Sequence, residues 1–298
     1  MNTTPDSTSA AQPIVSYPAD VFPQVAGART TGPDNPPWGV IGALFTWFVS
    51  IALLAVVPNV CVLPYLAYRY RGVTTTRDLL LTDKTFVFLF VLGWVPAHLL
   101  TLALIWAITT RVGKRPIRDV LGWSWSPTFG FWKSAAVAIS LFLITIVILG
   151  RFGGQRTDLD RILESSRPTA VALAVLAVAT APLVEEMIYR GLLYSAFRRA
   201  IGQWAAVVLV TSMFAGLHVI QYWPNAAAIS SISLLSLVLT LIRARTGRLL
   251  PCYVVHLIFN GVQSVIIVLD PYLQSLFHIW RHEPVNGAVA YLITYYYR

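Results

Sequence analysis

The amino-acid sequence predicts an all-α protein, a multi-pass transmembrane helical bundle of about seven spans, or eight. Of the 298 residues, 56% are hydrophobic and only 12% are charged, a balance that is rare in water-soluble domains. Apolar stretches close to the roughly 20 residues needed to cross a hydrocarbon core recur along the chain. Polar connectors, such as 111–115 and 151–156, separate these stretches. The lipid bilayer is therefore the predicted environment.

The apolar stretches define seven candidate spans within a predicted transmembrane domain over residues 37–270. They are 38–63, 85–108, 134–150, 169–189, 204–222, 226–242 and 249–269. The first stretch continues through Pro58 and Pro64 to Tyr70. Because proline interrupts helix hydrogen bonding, a kink or an additional short helix there would raise the count to eight.

The two ends of the chain differ from its middle. Residues 1–36 are rich in Ser, Thr, Pro, Gly and Ala without periodicity, which predicts a disordered polar tail. This tail lacks the basic start and apolar core of a secretory signal, so we expect the first span to direct membrane insertion. Residues 271–298 are aromatic and end in three tyrosines and an arginine, which predicts an interfacial C-terminal segment.

The net charge of +9 does not indicate a nucleic-acid partner. The Lys and Arg residues lie between or at the ends of the apolar stretches, where they would meet anionic lipid headgroups. The two cysteines, Cys61 and Cys252, each lie inside an apolar stretch and form no disulfide or metal-binding pattern. The predicted partners are therefore the bilayer and a membrane-associated peptide or protein, with no nucleic acid.

The basic residues leave the orientation in the membrane open. Arg198, Arg199, Arg243, Arg245 and Arg248 favour a cytoplasmic N-terminus under the positive-inside rule. Basic residues at positions 69, 71 and 77 favour the opposite orientation.

An adjacent pair of acids, Glu185 and Glu186, lies inside a predicted span. An ionisable side chain in a bilayer costs at least ~2.5 kcal/mol, so the pair marks a candidate site. Successive helical residues point about 100° apart, so the two acids must face different ways. Arg190, four residues after Glu186, is placed to form an ion pair with it, and this pair is equally compatible with a purely structural role. Pro182 is expected to bend the helix and admit water.

Two later spans carry polar groups at helical spacing. Phe214 and His218 share one helix face, and His256 and Asn260 share another. A carboxylate, two imidazoles and an amide are sufficient for hydrolysis, because they can take a proton from water and stabilise an oxyanion. Phe214 is expected to shape the pocket wall. His98 has no acidic residue near it in the sequence and is predicted to make an interhelical hydrogen bond.

The motifs EExxxR, FxxxH and HxxxN, in this order on successive predicted helices, resemble those of the CPBP family of intramembrane endopeptidases. That family includes the type II CAAX prenyl proteases and bacteriocin-processing relatives. The resemblance covers about residues 130–270 and implies a glutamate-type peptidase. It implies that Glu185 is the general base, that His218 positions and activates the water, and that His256 and Asn260 stabilise the oxyanion.

The same resemblance implies that Glu186, held by Arg190, is a support. No cofactor is expected. Zinc is an alternative, with Glu185, His218 and His256 as the ligands, although no HExxH signature occurs.

The predicted function is hydrolysis of a peptide bond in a membrane-associated protein or peptide, in a bacterial plasma membrane. The alternative within the family is a non-catalytic membrane scaffold or bacteriocin-immunity protein. A transporter or proton relay is a third possibility, but no inverted repeat or pair of broken spans supports it. The residues do not identify the substrate or show whether it is prenylated.

Overall fold

The fold is all-helical in a computed structural model that describes residues 32–33, 35–153 and 155–280, with backbone only at 270–271 and 273–280. The first part contains α1 (Val40–Arg69), α2 (Arg77–Thr82), α3 (Lys84–Leu92), α4 (Trp94–Thr110), α5 (Ile117–Leu121), α6 (Phe131–Phe152) and α7 (Asp158–Ser165). The second contains α8 (Arg167–Ala179), α9 (Ala181–Glu186), a π-helical segment (Met187–Leu193), α10 (Tyr194–Ile201), α11 (Gln203–Tyr222), α12 (Ala226–Thr246) and α13 (Leu250–Trp280). Two isolated bridges are the only β pairing among these residues.

Seven helical stretches within the described residues are long and apolar enough to cross a membrane, which confirms the predicted multi-pass bundle. They are α1, α3 with α4, α6, α8 to α10, α11, α12 and the Leu250–Leu269 part of α13. Helix α1 runs without a break through Pro58 and Pro64. The eighth helix that these prolines suggested is therefore not formed.

The core lies around the span that carries the two acids. Ile188, Leu192 and Leu193 are buried there among side chains from α1, α4, α5 and α11. A second buried cluster joins α6, α12 and α13 through residues such as Leu239 and Val255. The acid-bearing span is thus enclosed by other helices, which keeps its charged groups away from lipid.

Helix α1 crosses the junction between α3 and α4 at backbone contact. A Cβ atom built on Gly93 would lie 2.6 Å from Pro58 Cα, so only glycine fits at this crossing. A few turns away, Asp83 caps α3 and accepts hydrogen bonds from the Tyr65 and Tyr70 hydroxyls at 2.8 Å each. Partial burial opposes ionisation of Asp83, but these hydrogen bonds outweigh it and hold its pKa below the ordinary value.

The last residues of the predicted tail 1–36 form a turn that docks on the bundle. Arg199 donates to Pro36 O at 2.9 Å and to Trp38 O at 2.8 Å. The predicted disorder of residues 1–31, and of 34, falls outside the described residues. At the other end, the α13 backbone continues to Trp280, and residues 281–298 of the predicted interfacial segment also lie outside them.

The crossing at Gly93 makes a prediction about stability. We expect Gly93→Ala to lower the melting temperature of the detergent-purified protein, because the added methyl group meets backbone that cannot move aside. Overpacking of this kind costs about 1–3 kcal/mol. Gly42→Ala on α1 is the matched control, since its Cβ would lie 3.8 Å from the nearest side-chain atom. Equal melting temperatures for the two variants would contradict the close crossing.

Candidate active site

The span that carries Glu185 and Glu186 is interrupted just before them. Helix α8 ends at Ala179, and Thr180 leaves helical geometry with φ −122° and ψ −39°. Helix α9 then begins, with Pro182 in its first turn, where the missing proline N–H costs no hydrogen bond. The two acids that follow this break lie in different surroundings. The Glu185 side chain is 27% exposed, whereas Glu186 is completely buried.

Glu186 is held by two partners at one oxygen. Its Oε1 accepts from Arg190 Nη1 at 2.8 Å and from His256 Nδ1 at 2.9 Å. The ion pair at i,i+4 spacing is therefore formed, and both of its side chains have zero exposure. The bond from His256 is an addition that the spacing did not indicate, because His256 lies on α13.

Arg190 lies in the π-helical segment and uses its remaining donors on α12. Its Nη2 donates to Ser236 O at 3.0 Å and to Ser236 Oγ at 2.9 Å, while its Nε lies 3.3 Å from Thr240 Oγ1. A buried guanidinium is tolerated when its donors are satisfied in this way. Ser236, Thr240 and Arg243 form a polar stripe at i, i+4 and i+7. Sequence reasoning missed this stripe, although its spacing was a usable signal.

Arg243 is a correction to the sequence analysis, which counted it among the basic residues at the membrane surface. It is only 1% exposed. Its Nε donates to Arg190 O at 3.0 Å, and its Nη2 donates to Ser195 Oγ at 3.2 Å. Arg243 therefore supports the π-helical segment from α12 and is not a surface residue.

Phe214 and His218 stack on α11, as expected for residues that share a face. Their ring centroids lie 4.4 Å apart, and the Arg190 guanidinium carbon lies 4.8 Å from the Phe214 centroid. His218 Nδ1 lies 2.8 Å from Phe214 O. Because a carbonyl oxygen only accepts, Nδ1 carries the proton of this bond. In neutral His218, Nε2 is then a hydrogen-bond acceptor.

His256 stands between the two acids. Its Nδ1 donates to Glu186, and its Nε2 lies 3.7 Å from Glu185 Oε2. Since the Glu186 carboxylate accepts, Nδ1 carries a proton, and Nε2 is a donor only in the imidazolium form. The predicted oxyanion role of His256 therefore requires a second proton on this ring.

Asn260 joins α13 to the end of α8. Its Nδ2 donates to Ala177 O at 2.9 Å, next to the break at Thr180. An amide nitrogen has two protons, so the second N–H stays available for another acceptor.

The structure brings the four predicted catalytic residues to one cavity of about 630 Å³. Its lining includes Glu185, His218, His256, Asn260 and the Phe214 ring. Glu186 and Arg190 lie behind this wall and do not line it. The remaining wall is largely apolar and comes from α1, α4, α6, α7, α8, α9, α11, α12 and α13. The volume is typical of sites that bind a small molecule or a short segment of chain.

His98 lines the same cavity, which the sequence analysis did not foresee. The predicted interhelical hydrogen bond is present, since His98 Nδ1 lies 2.7 Å from Thr180 Oγ1. His98 has no acidic residue near it in the sequence, but in the fold Glu185 lines the same cavity. No spacing pattern could have signalled this, since the two residues lie on separate spans.

The zinc alternative concerns Glu185, His218 and His256. Among the described residues, no three His, Cys, Asp or Glu side chains are grouped so that they could hold a metal ion. No step of the chemistry below is therefore derived through a metal.

Residues 167–262 match the family described as Type II CAAX prenyl endopeptidase Rce1-like. The matched segment contains all three motifs of the site, whereas His98 lies before it. No curated protein and no solved structure matches the chain. The chain therefore carries an Rce1-like type II CAAX prenyl endopeptidase (CPBP) family domain over residues 167–262.

Proposed function

We propose that the protein is an intramembrane endopeptidase that hydrolyses a peptide bond in a membrane-associated protein or peptide. The observation that carries the proposal is the convergence of Glu185, His218, His256 and Asn260 on one cavity. These groups together can take a proton from water and donate hydrogen bonds to an oxyanion. The Rce1-like family domain supports the same reaction class. The proposed location is a bacterial plasma membrane, in keeping with seven candidate spans in the described chain.

In the first step, the Glu185 carboxylate takes a proton from water. The water oxygen forms a bond to the carbonyl carbon of the substrate, and the C=O π electrons move onto the carbonyl oxygen. His218 accepts a hydrogen bond from the same water at Nε2, since its Nδ1 is held by Phe214 O. Alignment by His218 lowers the entropic cost of the attack.

The tetrahedral oxyanion then accepts hydrogen bonds from the imidazolium form of His256 and from the second N–H of Asn260. The ring nitrogens of His256 lie 3.7 Å from Glu185 Oε2 and 2.9 Å from Glu186 Oε1. Donors fixed in place before the reaction stabilise such an oxyanion strongly, because they need no reorganisation as the charge develops.

In the last step, the carbonyl reforms and the C–N bond breaks. The proton held by Glu185 passes to the leaving nitrogen, so the products are a carboxylic acid and an amine. One water is consumed, and Glu185 returns to its carboxylate form. Glu186 and Arg190 keep His256 oriented throughout and exchange no proton with the substrate.

The walls of the cavity indicate what the substrate presents. Leu149, Leu159, Leu173 and Ile267 are among the apolar residues that line it. An apolar segment or chain next to the scissile bond would bury its surface there. We therefore propose a substrate with an apolar segment or chain at the membrane.

Replacement of the two acids should affect different properties, cleavage for Glu185 and thermal stability for Glu186. We expect Glu185→Gln to lower cleavage by roughly 10²-fold or more, because the general base is lost, while the melting temperature stays the same. We expect Glu186→Gln to lower the melting temperature, because Arg190 would keep a buried charge without its counter-ion, at a cost of about 3–5 kcal/mol. The measurements are scanning fluorimetry and cleavage in nanodiscs of two reporters, a farnesylated CAAX peptide and an unprenylated apolar peptide.

Normal turnover by Glu185→Gln would overturn the proposal. The natural substrate is sought by comparing membrane peptides from cells with wild-type protein and cells with Glu185→Gln, where the uncleaved substrate should accumulate. Rescue of a deletion strain by Glu185→Gln would instead favour the non-catalytic scaffold or immunity protein.

The amide of Asn260 makes a second prediction. We expect Asn260→Ala to lower kcat on the order of 10²- to 10³-fold, the usual effect of removing one oxyanion donor. Its lost bond to Ala177 O should cost only about 1 kcal/mol in stability. Asn59→Ala is the control, since Asn59 is exposed and donates to Ala55 O of its own helix. A wild-type kcat in Asn260→Ala would remove this residue from the mechanism.

A further inference from the structure

Glu185 stands where two cavities meet. Besides the cavity of about 630 Å³, a smaller one of about 170 Å³ lies against the same carboxylate. Glu185, His98 and His218 line both. The rest of the smaller cavity is lined by α1, α9, α11 and the π-helical segment, through residues such as Trp47, Ser50 and Tyr189.

The smaller cavity has the size and the polar groups that water needs. About 170 Å³ gives room for several molecules, since a water occupies about 30 Å³ in the liquid and needs two to four polar partners. The Tyr189 hydroxyl accepts from Trp47 Nε1 at 3.1 Å, which leaves its own proton as a donor. The Ser50 hydroxyl and the Glu185 carboxylate add further polar atoms to the lining.

His98 is tied to the helix break that precedes Glu185. Its Nδ1 lies 2.7 Å from Thr180 Oγ1, and Thr180 is the residue at which α8 gives way to α9. The ring is buried and borders both cavities, so its second nitrogen, Nε2, is the polar atom left for a water beside Glu185.

We propose that the smaller cavity is a water chamber that supplies the hydrolytic water to Glu185, and that His98 is a positioning residue that holds this water. Two cavities beside Glu185 allow substrate and water to reach it separately. Once an apolar segment fills the larger cavity, water cannot reach Glu185 from that side. The smaller cavity, which Glu185 also lines, then supplies this water. The positioning role rests on the proposed function, whereas the hydration of the chamber does not.

The chamber is tested by hydroxyl-radical footprinting of the full-length protein in nanodiscs, which oxidises side chains next to water. Tyr189 and Tyr194 are a matched pair, with 4% and 1% exposure, but only Tyr189 lines the chamber. We expect Tyr189 to be oxidised at least several-fold faster than Tyr194. Equal rates would show a dry chamber and would overturn the proposal, whatever the protein cleaves.

The role of His98 is tested by three variants. Asparagine places an amide near the Nδ1 position and keeps the bond to Thr180, whereas glutamine places its amide near Nε2. If His98 holds water through Nε2, His98→Asn should lower kcat by roughly tenfold or more with KM within about twofold. His98→Gln should keep most of the wild-type kcat. So should Thr180→Val, which removes the bond to Nδ1 together with the long bond from Thr180 Oγ1 to Leu176 O at 3.4 Å.

The reverse order, with wild-type kcat in His98→Asn and losses in His98→Gln and Thr180→Val, would overturn the positioning role and leave His98 as a structural link. The kinetic comparison uses whichever reporter the wild-type protein cleaves and Glu185→Gln does not. If the wild-type protein cleaves neither reporter, the proposed function fails. The footprinting of Tyr189 against Tyr194 then still decides whether the chamber holds water.

Discussion

The buried ion pair between Glu186 and Arg190 is the constraint on which the rest of the site depends. Both side chains have zero exposure, and two charges without water are tolerated only when every strong donor finds an acceptor. Arg190 therefore binds α12 through hydrogen bonds to Ser236 and Thr240. Glu186 binds α13 through its hydrogen bond from His256. One pair of charges thus holds three spans in register.

The same pair determines the chemistry of its neighbours. Because Glu186 occupies His256 Nδ1, it orients the ring so that Nε2 lies 3.7 Å from Glu185. Phe214 packs between the Arg190 guanidinium and the His218 ring. The position of Arg190 therefore also affects the position of the His218 imidazole. Of the two adjacent acids, only Glu185 lines the cavities. A structural ion pair and a reactive carboxylate therefore lie next to each other in sequence, and the turn of about 100° between successive helical residues gives them separate surroundings.

The local part of this arrangement could be predicted from the sequence because it follows from helix periodicity and the solvent. Long apolar stretches predict spans, since a bilayer leaves backbone groups no other partner than the helix itself. The spacing of four residues predicts that Glu186 meets Arg190 and that Phe214 meets His218. The cost of charge in lipid marks Glu185 and Glu186 as a site without reference to any other part of the chain.

By itself, then, the sequence determined the helical class, the seven spans, and the pairs that lie one turn apart. Contacts between spans were beyond it, because periodicity tells which face of a helix is polar but not which helix lies opposite. The bond of His256 to Glu186, the burial of Arg243 under the π-helical segment and the approach of His98 to Glu185 all join separate spans. Each depends on how the helices pack, and close crossings such as that of Gly93 against Pro58 set this packing.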